Sequence, residues 1–253
     1  MGDMLAAIIQ ARMTSTRLPG KVLKEVMARP LLSYQIERLR GVRKIEKIIV
    51  ATTTNREDDP IVDLCNREEV DFYRGSEHDV LDRYYQTAKK FTVEHIMRIT
   101  SDCPLIDPQI CANVIDVYFK TGADFVHTGL TFAEGVDCEI LSFKALERAW
   151  NEANLKSERE HLTLYLHNHP ELFKKITLTN KTDDSRYRFT VDEQEDFLVV
   201  KAILEGLYKK NAQPFTTDEI KKFLDTNEEI FRLNLNIVRN QGLIKSLKED
   251  KRA

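Results

Sequence analysis

Short apolar runs alternate with segments of helical periodicity along the first 120 residues. Residues 5–9, 45–51, 70–73 and 95–99 read as strands, apolar enough to be buried on both faces. Between them, Leu32, Ile36 and Leu39 follow Pro30 and stop at Gly41, the spacing of one helix face. Ile61, Leu64 and Cys65 follow Asp58-Asp59-Pro60, which reads as a helix cap. Val80, Leu81, Tyr84, Tyr85 and Ala88 mark a helix over 78–90, and Asp107-Pro108 opens another with Cys111, Val114, Ile115 and Tyr118 inward. Buried strands separated by helices predict a parallel sheet covered on both sides through right-handed crossovers. Ligands of such sheets bind beyond the carboxyl ends of the strands, where strand order reverses. That rule puts loops 10–21 and 100–107 on one rim.

From about Asp124 the rhythm loosens. Residues 125–126 and 136–141 look like strands, and Ser142 caps a helix through Leu146, Ala149, Trp150 and Ala153. The pattern predicts a helix over 157–168, strands over 174–179 and 187–191, and a helix over 193–207. Thr216-x-x-Glu219 is a capping-box start for one more. From Asn234 the chain is polar and reads as an extended, irregular tail. The expectation is one α/β domain over 1–253, with a Rossmann-like, mostly parallel sheet, helices on both faces and an irregular C-terminal third.

Composition narrows the function classes. The 253 residues are 42% hydrophobic and 31% charged, the balance of an ordinary globular protein with a sizeable core. A net charge of −3 gives no basic footprint, so a nucleic-acid partner is disfavoured. The four cysteines lack C-x-x-C or zinc spacing and read as reduced thiols. The N-terminal apolar run is too short for a signal peptide, and no run reaches membrane-spanning length. A cytoplasmic protein without a membrane partner is expected.

Chemistry concentrates in three places. The stretch Gln10-Ala11-Arg12 to Lys21 follows the first strand and carries Arg12, Arg17 and Lys21 beside Ser15 and Thr16, turning at Pro19-Gly20. Guanidinium forks and backbone N–H groups in such a bend can grip phosphate oxygens. On charge alone it is equally a solvated basic turn, and it is not a P-loop. Asp102 follows the fourth strand directly, and Pro104 stops that strand, so its carboxylate suits either Mg²⁺ or an Asx turn. Asp192 ends an apolar run and, with Glu195 three residues on, also reads as a helix N-cap. His161, His167 and His169 lack H-E-x-x-H spacing, and no G-x-S-x-G elbow is present.

These stretches resemble one family. Ala11-Arg12, Ser15 and Arg17-Leu18-Pro19-Gly20-Lys21 resemble the N-terminal signature of cytidylyltransferases that activate acidic sugars, the CMP-Kdo and CMP-sialic acid synthetases. Arg98 to Leu105 resembles the family's metal-aspartate segment, with Ser101 where many relatives have glycine. Val191-Asp192 to Asp196 resembles its second acidic signature. The chain looks most like the branch that contains spore coat polysaccharide biosynthesis proteins. The resemblance implies a fold of the nucleotidyltransferase (nucleotide-diphospho-sugar transferase) type, CTP as nucleoside triphosphate, an eight- or nine-carbon acidic sugar as acceptor, pyrophosphate release and a homodimer. It implies a triphosphate loop of Gln10, Ala11, Arg12, Ser15, Arg17 and Lys21, Mg²⁺ on Asp102 and Asp192, and catalytic roles for Arg12, Lys21 and Asp102. It further implies that Asp82 and Arg83 contact the nucleotide, and that Glu134, Asp137, Glu139, Glu160 and His161 face the sugar. Two other readings stay open: a nucleotide-sugar glycosyltransferase, although Asp-x-Asp is missing at 102, and a non-catalytic nucleotide-binding partner in a polysaccharide pathway.

Overall fold

The computed structural model describes residues 4–210 and 212–250. β1 (Leu5–Gln10) sits inside a seven-stranded sheet and is buried on both faces, as its apolar run requires. A single 3-10 turn (Lys21–Leu23), a two-residue hairpin of β2 (Glu25–Val26) and β3 (Arg29–Pro30), and α1 (Leu31–Arg40) lead to β4 (Lys47–Thr53). α2 (Asp59–Arg67) then precedes β5 (Asp71–Gly75), and α3 (Val80–Lys90) crosses to β6 (His95–Thr100) on the other side of β1. α4 (Pro108–Thr121), β7 (Phe125–Thr128), β8 (Glu139–Ser142), α5 (Phe143–Glu152), α6 (Lys156–Glu160), α7 (Leu164–Asn168) and β9 (Lys175–Leu178) complete the sheet and its cover. α8 (Gln194–Leu207), α9 (Thr217–Thr226), α10 (Glu228–Phe231) and α11 (Gln241–Lys248) follow.

The strand order is β5-β4-β1-β6-β8-β7-β9, and only β8 runs antiparallel to its neighbours. Order reverses between β1 and β6, whose ends are level because Gln10 pairs with Thr100. The predicted rim therefore exists, with loops 10–21 and 100–107 side by side. Leu5, Ala7 and Ile9 pack with α1, α2 and α4 on one face, while Ala6 and Ile8 pack with α3, α5 and α7 on the other. A third cluster, including Phe189, Val199 and Ile203, seats the C-terminal helices. Arg38 of α1 anchors that region, donating to Ile106 O at 2.6 Å and Phe215 O at 2.7 Å.

Four expectations change. Residues 187–191 join no ladder beyond one bridge from Arg188 to Glu134; their backbone bonds instead to Glu134 and Asp102. The helix expected over 157–168 breaks into α6 and α7, which buries Leu162 and lets the Thr163 hydroxyl reach Glu139 at 3.0 Å. Asp58 does not cap α2 with its side chain, because that carboxylate accepts from the Thr53 hydroxyl and from Met13 N at 2.7 Å. The tail beyond Asn234 is not extended throughout: α11 forms there and packs beside α6. Leu243, Ile244 and Leu247 recur at helical spacing, a pattern masked in the sequence by the surrounding polar residues.

Candidate active site

The loop after β1 is tied at both ends. Ala11 N donates to Ala51 O at 3.2 Å, and Gly20 N closes on Met13 O at 2.9 Å. Gly20 holds φ of 69°, where a Cβ would also come within 3.2 Å of the Met13 side chain. Only glycine adopts that geometry without strain. The closed loop delivers Lys21, whose side chain is 11% exposed, to the rim of the sheet.

Two carboxylates meet it there. Gln35 of α1 donates to Thr100 O at 2.7 Å and Cys103 O at 2.8 Å, shaping the turn that presents Asp102. Val191 N then donates to Asp102 O at 2.7 Å, which brings Asp192 beside Asp102 although 90 residues separate them in sequence. Gly135, at φ 100°, makes room for this crossing: a Cβ there would lie 2.4 Å from Thr190 N. Lys21 Nζ bridges Asp192 Oδ1 at 2.7 Å and Asp102 Oδ2 at 3.3 Å. Arg17 adds a contact to Asp192 Oδ1 at 2.9 Å and another to Glu193 at 3.3 Å. Burial works against the Lys21 ammonium, but Asp102 and Asp192 outweigh it and raise its pKa. Burial likewise opposes the Asp102 carboxylate, and Lys21 together with the Thr100 hydroxyl draws its pKa below the ordinary value.

Arg188 braces Asp192 from behind. It contacts Asp192 Oδ2 at 3.2 Å, Asp196 at 2.8 and 3.0 Å, and Glu134, and is 6% exposed. The α8 cap is a box between Glu193 and Asp196, one residue later than the sequence suggested, which releases the Asp192 side chain for the rim. Replacing Arg188 by Met leaves buried carboxylates without their cation. The expected cost is about 3–5 kcal/mol, read as a fall in Tm of roughly 10 °C.

The rim opens into a cleft of about 720 Å³. Gln10, Ala11, Arg12, Ser15, Arg17, Lys21, Arg83, Asp102, Glu160, His161 and Asp192 all line it. Among the described residues, five buried side-chain polar atoms lack a hydrogen-bond partner, and three of them, Gln10 Oε1, Arg83 Nε and Arg98 Nε, belong to cleft-lining residues. Buried polar groups are normally paired, so this wall has the character of one completed by a ligand. Glu77, Arg98, Lys156, Gln241 and Lys245 also line the cleft and were not read from the sequence. Glu77 is held by Thr14 and by Asn55 at 2.6 Å and faces Arg12 at 3.4 Å. The α11 residue Ser246 bonds His161 at 2.9 Å and Glu160 at 3.0 Å, fastening the tail across the α6 side of the cleft.

Four expected contacts lie outside the cleft lining. Asp82 accepts from Trp150 Nε1 at 2.9 Å and Gln86 at 3.0 Å, so it ties α3 to α5. Glu134 is taken by Arg188, and Asp137 by Arg239 at 2.6 Å. Glu139 pairs with Arg98 at 2.8 Å. The family resemblance placed these acids near the acceptor; their long-range cations, 41 to 102 residues away, could not be read from the local sequence. Burial opposes the Glu139 charge, yet Arg98 and His167 hold its pKa down at about 2 against an ordinary 4.5. The stabilisation is complete above the ordinary value and is lost as pH falls towards 2. Scaled by ~1.4 kcal/mol per unit, Glu139→Gln should remove on the order of 3 kcal/mol of stability at neutral pH. Its stability should then fall less steeply than wild type below pH 4.5, measured by denaturant titration across pH.

Fold and rim together set a cationic loop opposite paired carboxylates at the edge of an α/β sheet. The chain matches the family model described as cytidylyltransferase over residues 6–241 and belongs to that family of nucleotidyltransferases. It is 39% identical to an uncharacterised protein of Methanocaldococcus jannaschii, covering 92% of this chain and 95% of that one. It is 32% identical to the spore coat polysaccharide biosynthesis protein SpsF of Bacillus subtilis, over 81% of this chain and 88% of that one. The solved structure of a cytidylyltransferase from Leptospira borgpetersenii superposes with a TM-score of 0.87 at 32% identity, covering 94% of this chain and 99% of that one. No helix among the described residues is long and apolar enough to cross a membrane.

Proposed function

We propose that this chain transfers CMP from CTP to a hydroxyl of an acidic sugar, with Mg²⁺, for surface or spore-coat polysaccharide synthesis. The observation that carries the reading is the Lys21 ammonium held between Asp102 and Asp192. Two carboxylates already converge on one positive centre, so their oxygens suit a hard divalent cation. Mg²⁺ at those oxygens would supply Lewis-acid stabilisation of phosphate charge and lower the pKa of the attacking hydroxyl.

The sugar oxygen bonds to the α-phosphorus as the bond to the bridging oxygen breaks; the hydroxyl passes its proton to solvent water, and pyrophosphate departs. Lys21 and Arg17 exchange their carboxylate partners for triphosphate oxygens, and Arg12 turns from Glu77 to the same group. Their charge then offsets that of the leaving pyrophosphate. Lys156 and Lys245, from the α6 and α11 wall, offer cations to a sugar carboxylate, with Glu160 and His161 beside them for its hydroxyls. Burial lowers the His161 pKa, which keeps a neutral imidazole available for hydrogen bonding.

Pyrophosphate release is the direct assay, with the four ribonucleotides tested against ulosonic acids and sugar phosphates. CTP and an acidic sugar should both be required. Release of a nucleoside diphosphate from a nucleotide-sugar would favour a glycosyltransferase instead.

A further inference from the structure

Arg98, Glu139, His127 and Thr177 form a row across β6, β8, β7 and β9, with each pair directly opposite in register. His167 of α7 packs onto this row from the face of the sheet, its ring centroid 4.6 Å from that of His127 and nearly perpendicular to it. One ring nitrogen from each histidine and one Glu139 oxygen lie within 4.8 Å of one another, and His167 Nε2 is 3.9 Å from Glu139 Oε1. All three side chains are partly open to solvent. None of the three lines the cleft or touches the Lys21 cluster.

We infer that His127, His167 and Glu139 form a second cation site, specific for a divalent transition metal of the Zn²⁺ class and separate from the Mg²⁺ chemistry of the cleft. Two imidazoles and one carboxylate are the donor set of three-ligand zinc sites that keep a fourth position for water. Imidazole donors select against Mg²⁺, which takes oxygen. Tetrahedral ligands around such an ion stand about 3.4 Å apart at bond lengths near 2.1 Å, so small side-chain rotations close the site.

The surroundings of each ligand fit that role. His127 Nδ1 lies 3.1 Å from Thr128 O, and Nε2 lies 2.8 Å from the Thr177 hydroxyl. Whichever nitrogen ligates, the N–H on the other side finds an acceptor already in place, as metal-bound histidines require. Glu139 Oε2 is steadied by Arg98 at 2.8 Å and the Thr163 hydroxyl at 3.0 Å, while Oε1, which takes a longer 3.3 Å contact from the same hydroxyl, lies towards His167. Because Arg98 lines the cleft, an ion on Glu139 also alters how firmly that guanidinium is held in the cleft wall.

The test uses untagged full-length chain, stripped of metal and titrated with Co²⁺ under excess Mg²⁺, following visible absorption and bound metal per chain. One Co²⁺ per chain is expected, with the intense bands of a four- or five-coordinate site, and Asp102→Asn should retain it. His127→Gln and His167→Gln should each weaken binding by about a hundredfold or more. Unchanged Co²⁺ affinity in both variants, or no binding by the wild type, overturns the site. Thermal melts of the same variants check their fold; if either fails to fold, one Co²⁺ per Asp102→Asn chain supports the site and none overturns it.

Discussion

Asp102→Asn should lower metal-dependent turnover by about a thousandfold or more, corresponding to ~4 kcal/mol of transition-state stabilisation. Asparagine matches the shape of aspartate, and the backbone bond from Val191 to the residue-102 carbonyl is unaffected, so the fold should hold. What disappears is one of two negative charges facing a shared cation. Lys21 would settle on Asp192 alone, where it already makes its shorter contact, at 2.7 Å. The check is kcat against Mg²⁺ concentration beside a thermal melt. A variant that keeps the wild-type response to Mg²⁺ would remove Asp102 from the site.

Lys21→Ala should depress turnover by about a hundred- to a thousandfold, but through the opposite charge. The ammonium is raised in pKa by the two carboxylates and is the cation nearest to both in the free protein. Without it, Asp102 and Asp192 repel one another with only Arg17 and Arg188 to offset Asp192. Mg²⁺ should therefore bind the free variant more tightly than it binds the wild type, even as catalysis falls. The two substitutions thus move metal affinity in opposite directions while both slow the reaction. Wild-type rates, or unchanged Mg²⁺ affinity in Lys21→Ala, would contradict the role assigned to the ammonium.

Local pattern carried most of the fold because the strands are buried on both faces. β1, β4 and β6 announce themselves as apolar runs, and the inward residues of α1, α2, α3 and α4 recur at helical spacing. The two loops fell on one rim because both follow strands of a parallel sheet, while the strand order itself came only with the fold. The segment at 187–191 misled for a physical reason. Tyr187, Phe189 and Val191 are buried in the C-terminal core, so they alternate like a strand, yet their backbone bonds serve the Asp102 turn.

The cationic loop and both carboxylates were legible because each directly follows an apolar segment. The acceptor side was not. Glu134, Asp137 and Glu139 are acids interleaved with apolar residues, and only the fold reveals that Arg188, Arg239 and Arg98 pair with them. Conversely, Lys245 and Gln241 reach the cleft because α11 folds back across α6, a long-range docking without local signature. Arg98 is similar: inside β6 it reads as a strand residue with its charge out of place, until Glu139 appears opposite it.

Calorimetric titration of CTP, with and without Mg²⁺, tests most directly whether the three segments meet on one metal-bound triphosphate. Wild type should gain at least about tenfold in affinity from Mg²⁺, ~1.4 kcal/mol, and Asp102→Asn and Asp192→Asn should each lose that gain. Equal tightening by Mg²⁺ in all three proteins would place the metal elsewhere.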